Sequence, residues 1–476
     1  MLPYMKKVET YQGGGEPLVH GSNGPLRITA GGYRVRKAED DFLDAAARVG
    51  FAITDNLHDM RGELGFEHEH KTVSPNGKRQ DAATAYVHPL LEDGKHHNLH
   101  VLCEHKVTRV MFDEQNRVVG VEYIPNLDLQ ITKTSTSYPN FVVRARKQVV
   151  VSAGALGSPL VLQRSSIRVA IDLPGVGAGY QDHILTTWPY KTNLLPDETL
   201  DALWSGRMLP EEAAKNSLLG WSSSDVHGKY RPNAEQVKAL GSEFKAAWEK
   251  DYKEKPGKPL VLMATIAGFL GDPSLPPAGA YMSLCGYTAY PYSRGHIHIG
   301  GPHWRDLPDF ETGFFTNKGD IDMKMQIFTY KSLREIMRQT WMYRGELDMS
   351  HPKFAPNSEA ALLSLNEPLI AAGEVEDIEY TVDDDKAIEQ CLRERIGTTW
   401  HSLGTCAMKP REKGGVVDKD LNVYGTFALK VIDLSIPPEN VGANTQITAY
   451  TIGEKGADII LNELDGISEQ ANGVSH

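Results

Sequence analysis

A strand-like apolar run that turns directly into a helix constrains the fold of this sequence more than any other feature. Val149–Val151 is continuously apolar and β-branched, as in a parallel strand buried on both faces. The small residues of segment 152–155 follow, and helical spacing takes over across residues 156–163. This unit predicts an α/β domain in which the turn lets the backbone approach a ligand, although many α/β proteins use such a turn only for packing.

Length and charge narrow the class of protein. The 476 residues allow about three domains by the usual length rule. The composition, 41% hydrophobic and 24% charged, is that of an ordinary globular protein. A net charge of −12 argues against nucleic acid as a partner, because phosphate binding needs clustered Lys and Arg. No run of 18 apolar residues occurs, so we expect no membrane span.

Hydrophobic periodicity and turn residues place the remaining elements. Helices are predicted over residues 40–50, 81–92, 319–347, 384–395 and 446–464. Strands are predicted over residues 99–103, 107–112, 118–124, 141–151 and 429–432, with antiparallel strands between residues 259 and 300. Residues 1–37 are expected to be rich in loops, and residues 186–258 to be polar and mainly helical.

Several familiar site motifs are absent or misplaced. The glycines of segment 175–179 imitate a phosphate loop, but no strand precedes them and no helix follows, and no other G-x-G-x-x-G opens a βα unit. There is no G-x-S-x-G, which removes the nucleophile of an α/β-hydrolase. The four cysteines form no C-x-x-C pair, and the histidines at 68/70 and 96/97 lack a fixed carboxylate partner. We therefore expect no metal site and reduced, intracellular thiols.

The C-terminal quarter holds the strongest candidate site. Asp433 follows a predicted strand, at the position where open α/β sheets dock their ligands. Asn444 and Thr445 stand at the predicted start of the last helix, whose free N–H groups and positive dipole end stabilise negative charge. His401 lies in a separate loop and has a side chain that can accept an alcohol proton near neutral pH. Taken alone, these residues are better explained as a core histidine and a helix-capping asparagine.

Longer stretches around these residues resemble the glucose–methanol–choline (GMC) family of flavin-dependent oxidoreductases. Within this family, the sequence of these stretches is most similar to that of the fungal and yeast alcohol (methanol) oxidases. The stretches that carry the resemblance are residues 5–12, 20–25, 77–81, 85–89, 105–107, 154–165, 173–177, 181–183, 290–295, 398–408 and 433–446.

The resemblance implies a fold, a cofactor and site residues. It implies a mixed α/β fold in which a GMC-type FAD-binding domain, formed by residues 98–185 and 396–476, interleaves with an antiparallel-sheet substrate domain, formed by residues 1–97 and 186–395. It implies His401 and Asn444 as catalytic residues. It also implies cofactor contacts from Val107, Ala153, Gly154, Asp433, Asn444 and Thr445.

The implied reaction is oxidation of a small primary alcohol to an aldehyde, with dioxygen reduced to hydrogen peroxide. The family's first strand, its G-x-G-x-x-G loop and the ribose-binding acid have no counterpart here, so the sequence is interpreted as a truncated chain lacking the N-terminal βαβ unit. We therefore expect weak FAD binding. A non-catalytic remnant and a dehydrogenase using another electron acceptor stay open, as does a homo-oligomer. The location expected is cytoplasmic or peroxisomal, although the last residues are not a Ser-Lys-Leu-type address.

Overall fold

The computed structural model of the chain describes residues 1–14, 18–126, 140–165 and 171–472. Side chains of the last helix are described as far as residue 465. The C-terminal residues 473–476, where a targeting tripeptide was sought, lie outside the described part. The described elements combine one large antiparallel sheet, several small sheets and packed helices, which confirms the predicted mixed α/β class.

Strands and helices are interspersed along the chain, with runs of consecutive strands at β4 to β7 and β11 to β14. The strands are β1 (Glu9–Tyr11), β2 (Leu26–Ile28), β3 (Gly65–His68), β4 (His105–Phe112), β5 (Val118–Pro125), β6 (Phe141–Arg144), β7 (Val149–Val151), β8 (Ala178–Tyr180), β9 (Ile184–Thr192), β10 (Val226–Tyr230), β11 (Val261–Ile266), β12 (Tyr281–Thr288), β13 (Gly295–His298), β14 (Asp309–Glu311), β15 (Tyr343–Glu346), β16 (Gly397–Thr398) and β17 (Leu429–Val431). The α-helices are α1 (Leu2–Val8), α2 (Arg36–Arg48), α3 (His88–Glu92), α4 (Gly154–Ser165), α5 (Asp201–Trp204), α6 (Pro210–Lys215), α7 (Ala234–Ala239), α8 (Ser242–Asp251), α9 (Ile321–Arg338), α10 (Val382–Arg395) and α11 (Gln446–Asn472).

The large sheet has seven strands in the order β15-β9-β12-β11-β10-β3, with β16 also paired to β9. Every pairing in it is antiparallel. One face packs on α9, and the contact is close: a Cβ on Gly286 would lie 2.3 Å from Cγ2 of Thr329. Leu333 of α9 is fully buried there, which contributes about 1.5–3 kcal/mol of hydrophobic stabilisation.

The opposite face of the sheet carries polar and aromatic side chains. Directly opposed residues of antiparallel strands point to the same face, so the pairing register gives the layout. One row across the sheet runs through Glu67, His227, Ala264, Cys285 and Thr187. The next row includes Lys229, Leu262, Tyr287 and Leu185. This face, called the polar face below, holds the candidate site.

A second centre of packing surrounds the parallel pair β7 and β17. Val149 pairs with Leu429 and Val151 with Val431, which confirms the predicted parallel strand. Strands β4, β5 and β6 form an antiparallel sheet, and α4 packs beside β4. The expected burial of β7 on both faces is wrong at Val150, which is 39% exposed, because β7 pairs only with β17 among the described strands.

Other sequence predictions need correction. No strand forms at residues 99–103 in the described structure, because the apolar side chains there are exposed and meet no partner strand. The helix predicted over 319–347 ends at Arg338, since the chain then adds β15 to the edge of β9. Residues 1–37 contain α1, β1 and β2, and the region 186–258 includes strands β9 and β10 as well as helices. The last helix extends beyond residue 464, to Asn472.

Strand pairing crosses the predicted domain boundaries. β8, before residue 185, pairs with β13, and β16, after residue 396, pairs with β9. These pairings connect the predicted segments but do not decide where one domain ends and the next begins. The division into 1–97, 98–185, 186–395 and 396–476 stays a prediction. No helix in the described part of the chain is both long and apolar enough to cross a membrane.

Candidate active site

The loop that carries His401 is held in place by one buried carboxylate. Asp182 Oδ1 accepts hydrogen bonds from the backbone N–H of His401 (3.1 Å) and from the hydroxyl of Thr399 (2.9 Å). Its other oxygen accepts from the hydroxyl of Thr398. Trp400 has φ +59°, a left-handed conformation that bends the loop just before His401. Asp182 is fully buried, so this anchor is shielded from water.

His183, next to that anchor, fixes the protonation of the site. Its Nε2 lies 2.9 Å from the carbonyl oxygen of Val441, and its Nδ1 lies 2.9 Å from Nδ1 of His401. Burial lowers the pKa of His183 to about 3, so the ring is neutral at physiological pH. A carbonyl can only accept, so Nε2 of His183 carries the proton and Nδ1 is an acceptor.

The tautomer of His401 follows from that of its neighbour. Nδ1 of His401 must donate to Nδ1 of His183, so a neutral His401 has its lone pair on Nε2. None of the described residues donates to that nitrogen. Burial also lowers the pKa of His401 below the ordinary histidine value, opposed by the charge of Asp182. The ring is therefore a neutral base whose accepting nitrogen is bonded to none of the described residues.

Tyr287 orients the side-chain amide of Asn444 through a hydrogen bond. The Tyr287 hydroxyl donates to Oδ1 of Asn444 at 2.6 Å. Burial raises the pKa of Tyr287, so the phenol keeps its proton and acts as the donor. The amide NH₂ of Asn444 is then left without a partner among the described residues, and the side chain is exposed. It does not fold back onto its own helix as a simple cap would.

The two predicted catalytic residues thus meet around one tyrosine. The Tyr287 ring centroid lies 6.1 Å from that of His401 and 5.7 Å from that of His183. Asn444 reaches the same tyrosine through its hydroxyl. A base and an amide donor on one side of the large sheet can together handle the proton and the oxygen of an alcohol.

Sequence comparisons agree with this geometry. The sequence matches the GMC oxidoreductase family over residues 1–185 and 291–453. The chain is a GMC oxidoreductase. Alcohol oxidase 1 of Komagataella phaffii is 35% identical over 534 residues, covering 99% of this chain and 79% of the relative. Alcohol oxidase of Candida boidinii is 34% identical, covering 98% and 78%.

The solved structures give the same fold. An FAD-dependent oxidoreductase from Chaetomium thermophilum superposes with a TM-score of 0.74 at 22% identity, covering 98% of this chain and 80% of that one. The family resemblance predicted from the sequence is confirmed. As a member of this family, the GMC oxidoreductase described here is an FAD-dependent enzyme that acts on alcohols.

Two of the predicted cofactor residues, Asp433 and Thr445, form hydrogen bonds within the protein. Asp433 follows β17, and its Oδ2 accepts from the Gly154 N–H (2.9 Å) and from the Ser158 hydroxyl (2.5 Å). Asp433 therefore ties β17 to the start of α4, and none of these bonds reaches toward a ligand. Thr445 is buried, and its carbonyl accepts from the Ala449 N–H, so helical bonding starts at Thr445. Asn444 is the residue just before.

The turn after β7 fits an approaching ligand. Gly154 has φ +75°, and a Cβ built there would meet nothing within 4 Å. Ala153 is exposed beside it, and Val107 on β4 is 39% exposed. The free N–H groups at the start of α11, after Asn444 and Thr445, suit the electron-rich ring of a reduced flavin. These residues fit FAD, although the sequence supplies no G-x-G-x-x-G loop for its pyrophosphate.

Sequence reasoning missed three residues of this site. Asp182 and His183 belong to the Gln-Asp-His triplet, which contributed to the family resemblance but was given no role. Tyr287 carries no sequence signal, because its contribution depends on a pairing across the sheet and on a contact 157 residues away.

Proposed function

We propose that this enzyme oxidises a small primary alcohol to the aldehyde and uses dioxygen as electron acceptor, with hydrogen peroxide as the second product. The observation that carries the proposal is the His183–His401 pair, which leaves the accepting nitrogen of a neutral imidazole free. The alcohol oxidases among its relatives support the substrate class and the acceptor.

His401 is the proposed base. Its Nε2 takes the hydroxyl proton, and the positive charge that develops is balanced by buried Asp182, which already holds its backbone. His183 keeps the accepting nitrogen of His401 oriented away from itself. FAD bound at this site would supply the acceptor for the hydride of the alcohol carbon. Loss of a positioned general base lowers a rate by about 10²–10⁴-fold, so His401 is expected to dominate turnover.

Asn444 is the proposed holder of the alcohol oxygen. Its NH₂ donates to that oxygen while Oδ1 stays bonded to Tyr287. Val107, Ala153, Gly154 and Thr445 are proposed to contact FAD, and Asp433 is proposed to act at the same site by fixing the Gly154 turn.

A non-catalytic remnant is the second candidate, and a specific observation favours it. The phosphate loop that normally holds the pyrophosphate is missing from these 476 residues, so FAD affinity should be weak. A dehydrogenase with another acceptor is a third candidate. We retain an intracellular location, cytoplasmic or peroxisomal, as part of the proposal, and the four unpaired cysteines agree with it. A homo-oligomer stays a prediction.

Flavin binding and oxygen uptake together separate these functions. The purified chain would first be titrated with FAD and its flavin absorbance measured, then supplied with primary alcohols while oxygen uptake and peroxide are followed. Alcohol-dependent uptake that is lost in His401→Gln but kept in His96→Gln, an exposed control, supports the oxidase. Flavin reduction without oxygen uptake indicates a dehydrogenase. Absence of flavin binding at saturating FAD indicates the remnant.

A further inference from the structure

A second cluster of titratable side chains lies on the polar face, outside the proposed catalytic residues. Glu67 on β3 and His227 on β10 are paired across neighbouring strands, and His58 comes from the loop before β3. The ligand atoms of these three residues all lie within 4.8 Å of one another. We propose that His58, Glu67 and His227 bind a divalent transition-metal cation of the Zn²⁺ type.

The distances in this cluster suit one shared ion. Oε1 of Glu67 lies 2.8 Å from Nε2 of His227 and 3.5 Å from Nε2 of His58. Tetrahedral ligands at zinc bond lengths of about 2.0–2.2 Å are separated by roughly 3.4 Å. Two imidazoles and one carboxylate form a ligand set that zinc uses in proteins, with a fourth position left open.

The three converging atoms also have no hydrogen bonds of their own. Nε2 of His58, Oε1 of Glu67 and Nε2 of His227 are all buried, and none of them makes a hydrogen bond in the described structure. The 2.8 Å pair is close enough for an ion pair, but its geometry does not make a hydrogen bond. Buried polar atoms are normally satisfied, and three unsatisfied atoms facing one point indicate a missing partner. An ion pair between Glu67 and His227 would still leave Nε2 of His58 without a hydrogen bond, because it lies 3.5 Å from the same carboxylate oxygen.

The surroundings hold the ligands in place. The other carboxylate oxygen of Glu67 accepts from the Leu57 N–H at 2.6 Å, which fixes Oε1 toward the histidines. Nδ1 of His227 lies 3.8 Å from Oε1 of Glu69, an acidic neighbour of the kind that orients metal-binding histidines. The His58 N–H donates to Oδ1 of Asn56 at 2.8 Å, which shapes the loop.

Charge and access are also compatible with a cation. Lys229 lies on the same face, but its ammonium is bound by the Leu57 carbonyl at 3.1 Å, and Glu69 adds negative charge beside His227. The His58 side chain is 36% exposed although its Nε2 is buried, which provides an entry path. A bound ion would fasten the loop that carries His58 to the sheet edge formed by β3 and β10.

Metal titration of the full chain tests the site without FAD. The protein would be stripped with EDTA and titrated with Zn²⁺ by calorimetry, and with Co²⁺ by visible absorption, which reports coordination number. We expect one Zn²⁺ per chain and the intense Co²⁺ bands of a four- or five-coordinate site. His58→Ala and Glu67→Gln should each weaken Zn²⁺ binding by at least about 10- to 100-fold. In Glu67→Gln the amide oxygen can still accept from Leu57, so the fold is preserved.

His296→Gln is the matched control, because this strand histidine also lies beside a carboxylate, 3.3 Å from Asp309, but belongs to no three-ligand cluster among the described residues. It should bind Zn²⁺ like the parent. Less than one equivalent of Zn²⁺ in the parent chain, or unchanged affinity in both ligand variants, would overturn the proposal. Circular dichroism of the loop variant His58→Ala shows whether a loss of binding comes from unfolding.

Discussion

Replacing His183 with phenylalanine tests the tautomer argument directly. The phenyl ring keeps the aromatic volume beside Tyr287 but removes both hydrogen-bonding nitrogens. Nδ1–H of His401 then loses its acceptor, and the carbonyl of Val441 loses its donor. The imidazole of His401 is then free to rotate and to move its proton to Nε2, the nitrogen that is proposed to take the substrate proton.

The size of the effect follows from these bonds. An unsatisfied buried donor costs about 1–3 kcal/mol, and each 1.4 kcal/mol is about a tenfold change in rate. We therefore expect flavin reduction by alcohol to slow by about 5- to 150-fold in His183→Phe. His183→Gln should recover most of the rate, because its amide supplies an acceptor for His401 and a donor for Val441.

Anaerobic stopped-flow reduction of the FAD-loaded enzyme gives the rate, and ¹⁵N NMR of the histidine rings gives the tautomer. In the parent, Nδ1 of His401 should be protonated and Nε2 unprotonated, whether or not FAD is bound. If His183→Phe keeps the parent rate, or if the parent spectrum shows the proton on Nε2, the argument for an oriented base is refuted. Equal losses in the Phe and Gln variants would show that His183 acts through packing alone.

Four further predictions concern the base, the pH dependence of the rate, the pH dependence of stability and the fold. In the FAD-loaded enzyme, His401→Gln should slow flavin reduction by at least about a hundredfold, and the parent rate should rise with pH with an apparent pKa below the usual 6.5, because burial lowers the pKa of His401. The pKa of His183 falls from 6.5 to about 3 on folding, so the unfolded chain binds more protons and stability is lost as pH falls below 6.5. Between pH 7 and 5 the free energy of unfolding measured in urea should fall by about 2 kcal/mol for this reason. The His183→Phe variant should lack this loss. Glu346→Leu leaves the fully buried Arg334 without its carboxylate, 2.8 Å away, and should destabilise the chain by about 3–5 kcal/mol in the same assay.

The sequence predicted local elements well where one periodicity dominates. The antiparallel strands between residues 259 and 300, the parallel β7 and the start of the last helix were all expected. The failures lie where long-range packing decides. Residues 99–103 are apolar enough for a strand but have no partner, and the helical pattern beyond Arg338 gives way to β15 because β9 offers an open edge. Whether a segment has a partner strand cannot be seen in a local stretch of sequence.

Some residues of the candidate site could likewise be predicted from the sequence, and others could not. His401 and Asn444 stand in long stretches similar to a known family, so their positions could be predicted from the sequence. The residues that set their protonation and orientation, His183 and Tyr287, are 218 and 157 positions away from the groups they bond. The proposed metal-ligand cluster could not be predicted for a related reason: His227 lies far along the chain from His58 and Glu67, and spacing rules detect only ligands that are near each other in sequence.

The alternation of side chains along a strand explains how one sheet can contribute both to the packed core and to the candidate site. On β12, Gly286 faces α9 so closely that a methyl group would clash with Thr329, whereas Tyr287, the next residue, points to the polar face and holds Asn444. Successive side chains of a strand point to opposite faces, so one strand serves both the core and the site. The core face is fixed by packing and cannot vary in volume without cost. The same rigid backbone places Tyr287, which holds Asn444, on the polar face, and the proposed metal ligands His227 and Glu67 lie two and three strands away on that face.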